Sequence, residues 1–157
     1  MLNALRDHDV AIAMSPRESV LAAHAEGQRR FYRFRDGDYS NCNLYGIASS
    51  HALGAAEIFR GGGQFAKKAS RIVDAFGLMN LLLLRLRLVS LSRGLRRISG
   101  RIGLSLAPVI LTDGTQAIDV DNDRTYAVVN DLIRQRSRQC RQSAERALPP
   151  VALEVSV

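Results

Sequence analysis

Three aspartates at alternate positions, Asp119, Asp121 and Asp123, stand between apolar runs in QAIDVDNDRTYAVV. Carboxylates this close repel one another unless a cation or a basic partner sits among them. On an extended segment Asp119 and Asp121 point to the same side, the arrangement of a Mg²⁺ seat completed by phosphate oxygens and water. The spacing also opens a calcium loop, but the sixth position is Arg124 instead of glycine and the twelfth is Asn130 instead of glutamate. The plainer role is helix capping: Asp121, Asn122 or Asp123 precedes the helix expected over 125–134.

A second polar cluster, DGDYSNCNLYG, holds Ser40 and Asn43. It reads as a turn whose side chains bond their own backbone, or as a polar loop holding a ligand at the mouth of a sheet. Lys67 and Lys68 are the only lysines; the other 20 of the 22 basic residues are arginines, and the formal charge is +7. Such an excess suits phosphate, nucleic acid or an acidic membrane surface. The arginines from Arg85 to Arg101 lie opposite an apolar stripe and have no aromatics among them, so base stacking is not indicated. His8, His24 and His51 lack metal-ligand spacing, and Cys42 and Cys140 form no CxxC pair.

The elements that must position these groups follow from the patterning. VAIAM is a buried strand, and Ser15-Pro16 starts a helix with Ser15 as its cap. RFYRFR and NLYGIA are strands joined across a polar turn containing SNCN. Helices follow from Ser50, stopped by Gly61-Gly62-Gly63, over 65–76 and over 78–88. Leu91, Leu95, Ile98 and Ile102 form the apolar stripe of another, closed by Gly103. SLAPVIL is a strand in which Pro108 argues for an edge or an irregularity, 117–120 a short strand, and the chain beyond Arg138 a loosely attached tail. The order is that of an α/β protein with a mixed sheet flanked by helices, divided into a domain over 1–138 and a tail over 139–157. With 157 residues there is one domain's worth of core, and Leu78 to Leu91 is too short and too charged to span a bilayer. The start MLNALRDHDV has no basic-then-apolar signal organisation, so a cytoplasmic location is expected.

In combination, RRFYRFRDGDYSNCNLYGIAS, QFAKKASRIVDAFG, the arginine-leucine helical segment and AIDVDND resemble, in order and spacing, the second half of the MobA-like nucleotidyltransferase domain. The family passages run R-F-R-D-G-x-Y-S-G-C-N-L-F, R-K-x-P-x-R-x-A-x-x-x-G and I-D-V-D-x-P-x-D, and the likeness extends over roughly 8–135. The resemblance implies a Rossmann-like, GT-A-like fold with its N-terminal portion absent. It implies transfer of a nucleotidyl group from a nucleoside triphosphate to a phosphorylated acceptor, with Mg²⁺ as cofactor. By position it makes Asp121 a catalytic and metal carboxylate assisted by Asp119, puts Asn43 and Ser40 on the acceptor or sugar side, and turns Lys67 and Lys68 towards phosphate. The family's L-A-G-G-x-G-x-R loop and first metal aspartate have no counterpart here, Asn41 replaces the glycine of S-G-C-N, and Thr125 stands where the last aspartate would be. The implied enzyme is incomplete or inactive by itself, pairing with a second copy or a companion subunit. A non-catalytic binding module is the alternative, a nucleic-acid-binding protein the lesser one.

Overall fold

The computed structural model describes residues 1–53 and 77–147. Two compact units divide the chain, Met1–Asp119 and Val120–Val157.

The first unit is built on β1 (Val10–Pro16), the expected apolar strand. It is central in a four-stranded mixed sheet of order β2-β3-β1-β4, with β2 at Tyr32–Phe34, β3 at Gly37–Ile47 and β4 at Leu106–Ile110. Alternation sends Val10 and Ile12 to one face and Ala11 and Ala13 to the other. On the first face Val10, Leu104, Leu106 and Ala52 form a core on which Ile12, Leu95, Ile98 and Ile102 pack. Ala11 and Ala13 are wholly buried, so both faces of β1 are covered.

The apolar stripe that covers the first face belongs to α3 (Leu91–Ile102), counted after α1 (Arg17–Ala23) and α2 (Leu78–Arg85). Ser90 caps α3 by accepting from Arg93 N, and Gly103 ends it in the left-handed region at φ 71°. Asp36, in the turn between β2 and β3, accepts from Leu91 N at 2.9 Å, so the hairpin turn also serves the start of this helix. On the other face a 3₁₀ turn over Gly114–Ala117 packs on α1, β1 and β3. A Cβ at Gly114 would stand 2.1 Å from the carbonyl oxygen of Ser19, which only a glycine avoids.

Several local expectations change. Ser15 is not the cap of α1; it is buried in β1, and Pro16 occupies the cap position without a side-chain bond. SNCN is no turn: the chain reverses at Arg35-Asp36, and β3 runs unbroken through Ser40 to Asn43. Residues 117–120 form no strand, because Ala117 closes the 3₁₀ turn and 118–120 are irregular. Pro108 does lie on an edge strand, β4, which among the described residues pairs with β1 alone. In the second unit α4 (Asp123–Ala147) carries regular structure well past Arg138. Lys67, Lys68, the three glycines and the helix expected over 65–76 lie outside the described residues.

Among the described residues no helix is long and apolar enough to cross a membrane. The mixed α/β architecture is the one expected from the element order.

Candidate functional site

The polar cluster of β3 is a break in the sheet. Met14, Ser15 and Pro16 pair with Asn41, Ser40 and Tyr39, whereas Ile12, Ala11 and Val10 pair with Tyr45, Gly46 and Ile47. Between Asn41 and Tyr45 the three residues 42–44 therefore face the single Ala13 of β1. A bulge of this kind bends its strand and re-aims side chains. Asn43 takes the strain, with φ 50°, a left-handed conformation that asparagine adopts more readily than most residues.

Side chains brace the bulge. Asn41 Oδ1 accepts from Asn43 N at 3.0 Å, and Asn41 Nδ2 donates to the Tyr45 hydroxyl at 2.5 Å. The Asn43 amide, re-aimed in this way, donates to Asp119 Oδ2. Two candidate residues that stand 76 positions apart in the sequence are thus brought together. Both are exposed, so the pair is open to solvent and to a ligand. Cys42 is half-buried, and its thiol is held above the ordinary cysteine range first by burial and then by the charge of Asp119.

Asp119 reaches this place because the segment leaving β4 is pinned. Asp113 Oδ1 accepts from Thr115 N at 3.0 Å and Thr115 Oγ1 at 2.6 Å, starting the turn that buries Gly114 and Ala117. Ile118 follows in extended conformation and Asp119 comes next.

Ser40 sits apart from Asn43. It is buried opposite Ser15, whose Oγ is, among the described residues, a buried side-chain polar atom without a hydrogen-bond partner. Such a group costs stability unless something satisfies it. A separate concavity of about 420 Å³ is lined by Arg17, Glu18, Leu21, Gly37 and Asp38, and includes none of the candidate residues read from the sequence.

In the second unit Asp121 belongs to the start of α4. Its Oδ1 accepts from Asn122 Nδ2 at 2.5 Å and from Thr125 Oγ1 at 3.2 Å. Asn122 is the residue that caps, accepting from Thr125 N at 3.1 Å, and Asp123 occupies the first helical position, where its charge favours the helix dipole. Thr125, standing at the family's last aspartate, is buried and organises this cap.

The described residues include no group of three or more histidine, cysteine, aspartate or glutamate side chains placed to hold a metal ion. Asp121 is bonded within the cap, and Asp119 is bonded to Asn43. Asn41 and Tyr45 have no place among the candidates read from the sequence. Asn41 shows there only as a missing glycine, although an asparagine two residues before another polar residue is the pattern of a side chain bracing its own backbone.

No family model matches the chain, and no curated protein matches it. Among solved structures it is similar to a hypothetical transferase from Thermus thermophilus, with 22% identity and a TM-score of 0.67 over 79% of this chain. The chain spans about half of that structure, 54% of its length, and the likeness is one of fold.

Proposed function

We propose that this chain is a nucleotidyltransferase-related domain of GT-A-like, MobA-like type that takes a phosphorylated nucleotide or its acceptor at the bulged flank of its sheet. The observation that carries the reading is the Asn43–Asp119 pair, held open to solvent by a strained bulge on one side and a pinned turn on the other. Strained backbone and re-aimed polar side chains concentrate at functional sites. The fold shared with a hypothetical transferase supports the same class.

In this reading Asn43 presents an amide to sugar or acceptor hydroxyls, and Asp119 fixes its orientation. The pair positions its ligand; it forms no covalent intermediate, and its contribution is orientation of the reacting groups. Magnesium enters as the ion that a triphosphate brings with it. Lys67 and Lys68 remain expected phosphate contacts on the strength of the resemblance.

Titration with GTP and CTP, with and without Mg²⁺, tests the proposal. Weak binding is expected, lowered by Asn43→Ala and by Asp119→Asn. Asp121→Ala is expected to remove whatever metal dependence that binding has. Tight triphosphate binding indifferent to all three substitutions contradicts the assignment.

A further inference from the structure

We infer that the outer part of α4 is a docking surface for the phosphate backbone of nucleic acid. The inference rests on the second unit alone and is independent of the transferase reading.

The helix has two unlike stretches. Up to Leu132 it buries Thr125 and Val128 and half-buries Val129, Asn130 and Leu132; every residue from Ile133 to Ala144 is exposed. The exposed stretch, IRQRSRQCRQSA, holds four arginines and no acidic residue. At the pitch of an α-helix Arg134, Arg138 and Arg141 fall on one stripe, within about 60° of arc. A helix that is polar all round ordinarily relies on opposite-charge pairs one turn apart. Here Arg134 and Arg138, one turn apart, are two like charges, and the opposite-charge spacing of Arg141 with Glu145 comes only at the far end of the stretch. Arg134 does approach Asp131, at 3.9 Å and with both side chains mostly in solvent, which is a weak tie. The helix dipole favours cations in the last turn only, and Arg138 stands nine residues before Ala147. From 133 to 144 the stripe is thus a row of three arginines, with Asp131 and Glu145 only beyond its two ends.

The occupant follows from what accompanies the charge. Membrane-surface helices need large apolar residues opposite their basic face, and Ile133 is the one large apolar side chain from 133 to 144. Acidic protein surfaces bind through buried apolar or aromatic anchors as well as charge, and this stretch supplies no aromatic residue and only Ile133 as a large apolar one. A repeating phosphate backbone needs only the row. Arginine forks pair bidentately with phosphate, and a helix about 10–12 Å across fits a DNA major groove about 12 Å wide. With no aromatic residue in the stretch the contact is to backbone and insensitive to base sequence.

The full chain should bind a short DNA duplex at low salt. In Arg134→Gln/Arg138→Gln/Arg141→Gln, affinity should drop at least about tenfold and the slope of log K against log salt should flatten by about 2.7, at about 0.9 for each phosphate no longer neutralised. Arg33→Gln/Arg93→Gln/Arg96→Gln removes the same charge from the sheet unit and should leave both nearly unchanged. Replacing the three α4 arginines by lysine keeps helix and charge, so the salt slope should persist even if the glutamine variant loses helicity by circular dichroism. Equal losses in the two glutamine variants, absence of binding at low salt, or loss of the slope in the lysine variant would overturn the inference. So would tighter binding to anionic phosphatidylserine vesicles or to polyglutamate than to the duplex.

Discussion

The two flanks of β1 are built differently. Towards β4 the pairing is parallel and unbroken, five consecutive residues from Val10↔Leu106 to Met14↔Ile110. Towards β3 it is antiparallel and shifts register at Ala13, where three residues of β3 crowd opposite one. The regular flank carries Leu104, Leu106 and the α3 stripe; the broken flank carries Asn41, Cys42, Asn43 and the tie to Asp119. One strand therefore separates a side that stores stability from a side that gives up regularity to expose polar groups.

The largest effect should come from the regular flank. Leu106→Ala removes a buried side chain from the core and should lower unfolding free energy by about 2–5 kcal/mol in denaturant titration. A loss under about 1 kcal/mol would mean that this flank is not the main store of stability.

Gly103→Ala comes next. Nothing lies within 4 Å of the added Cβ, so the change isolates the left-handed backbone at φ 71° and should cost about 1–2 kcal/mol. A neutral result would show that the junction between α3 and β4 relaxes freely.

The regular flank also has an acid-sensitive latch. Asp9 accepts from both the backbone and the hydroxyl of Ser105, each at 2.8 Å, and these bonds hold its carboxyl below the ordinary aspartate range. A depressed carboxyl adds stability that is complete above its unfolded value and is lost as pH falls through its folded one. The melting temperature should thus stay level from neutrality and fall below about pH 4. Asp9→Asn should melt lower at neutral pH and show a flatter acid limb; an acid limb identical to the parent's would exclude Asp9 as its source.

The smallest effect concerns the broken flank. At pH 8 the exposed Cys140 should alkylate well before Cys42, whose thiol is raised by burial and by Asp119. Asp119→Asn removes only the lesser cause, so Cys42 should speed up by less than about tenfold and remain the slower thiol. An unchanged Cys42 rate would argue against Asp119 lying beside it.

The same contrast explains what could be read in the sequence. The regular flank was legible because period and packing agree: the compact apolar run of β1, the Leu91–Ile102 stripe, its closing Gly103 and Pro108 on an edge strand all appear as read. On the broken flank they disagree. SNCN has the composition of a turn, yet β3 continues through it because a bulge absorbs the surplus residues and Asn41 braces Asn43. Ser15 has the type of a helix cap but is claimed by the pairing with Ser40. The contact between Asn43 and Asp119 has no local signal at all, since the turn at Gly114 that delivers Asp119 depends on a close approach to Ser19. The length of α4 was hidden because every residue from Ile133 to Ala144 is exposed, so this polar stretch has no apolar period to read.

The most direct measurement is amide chemical-shift mapping by NMR during titration with GTP and Mg²⁺. Perturbations should cluster at residues 41–45 and 113–119, on the bulged flank and the turn that feeds it, and should vanish in Asn43→Ala. A cluster on α3 and β4, or along Arg17, Glu18 and Asp38, with residues 41–45 unmoved, would contradict the placement of the ligand on the broken side of β1.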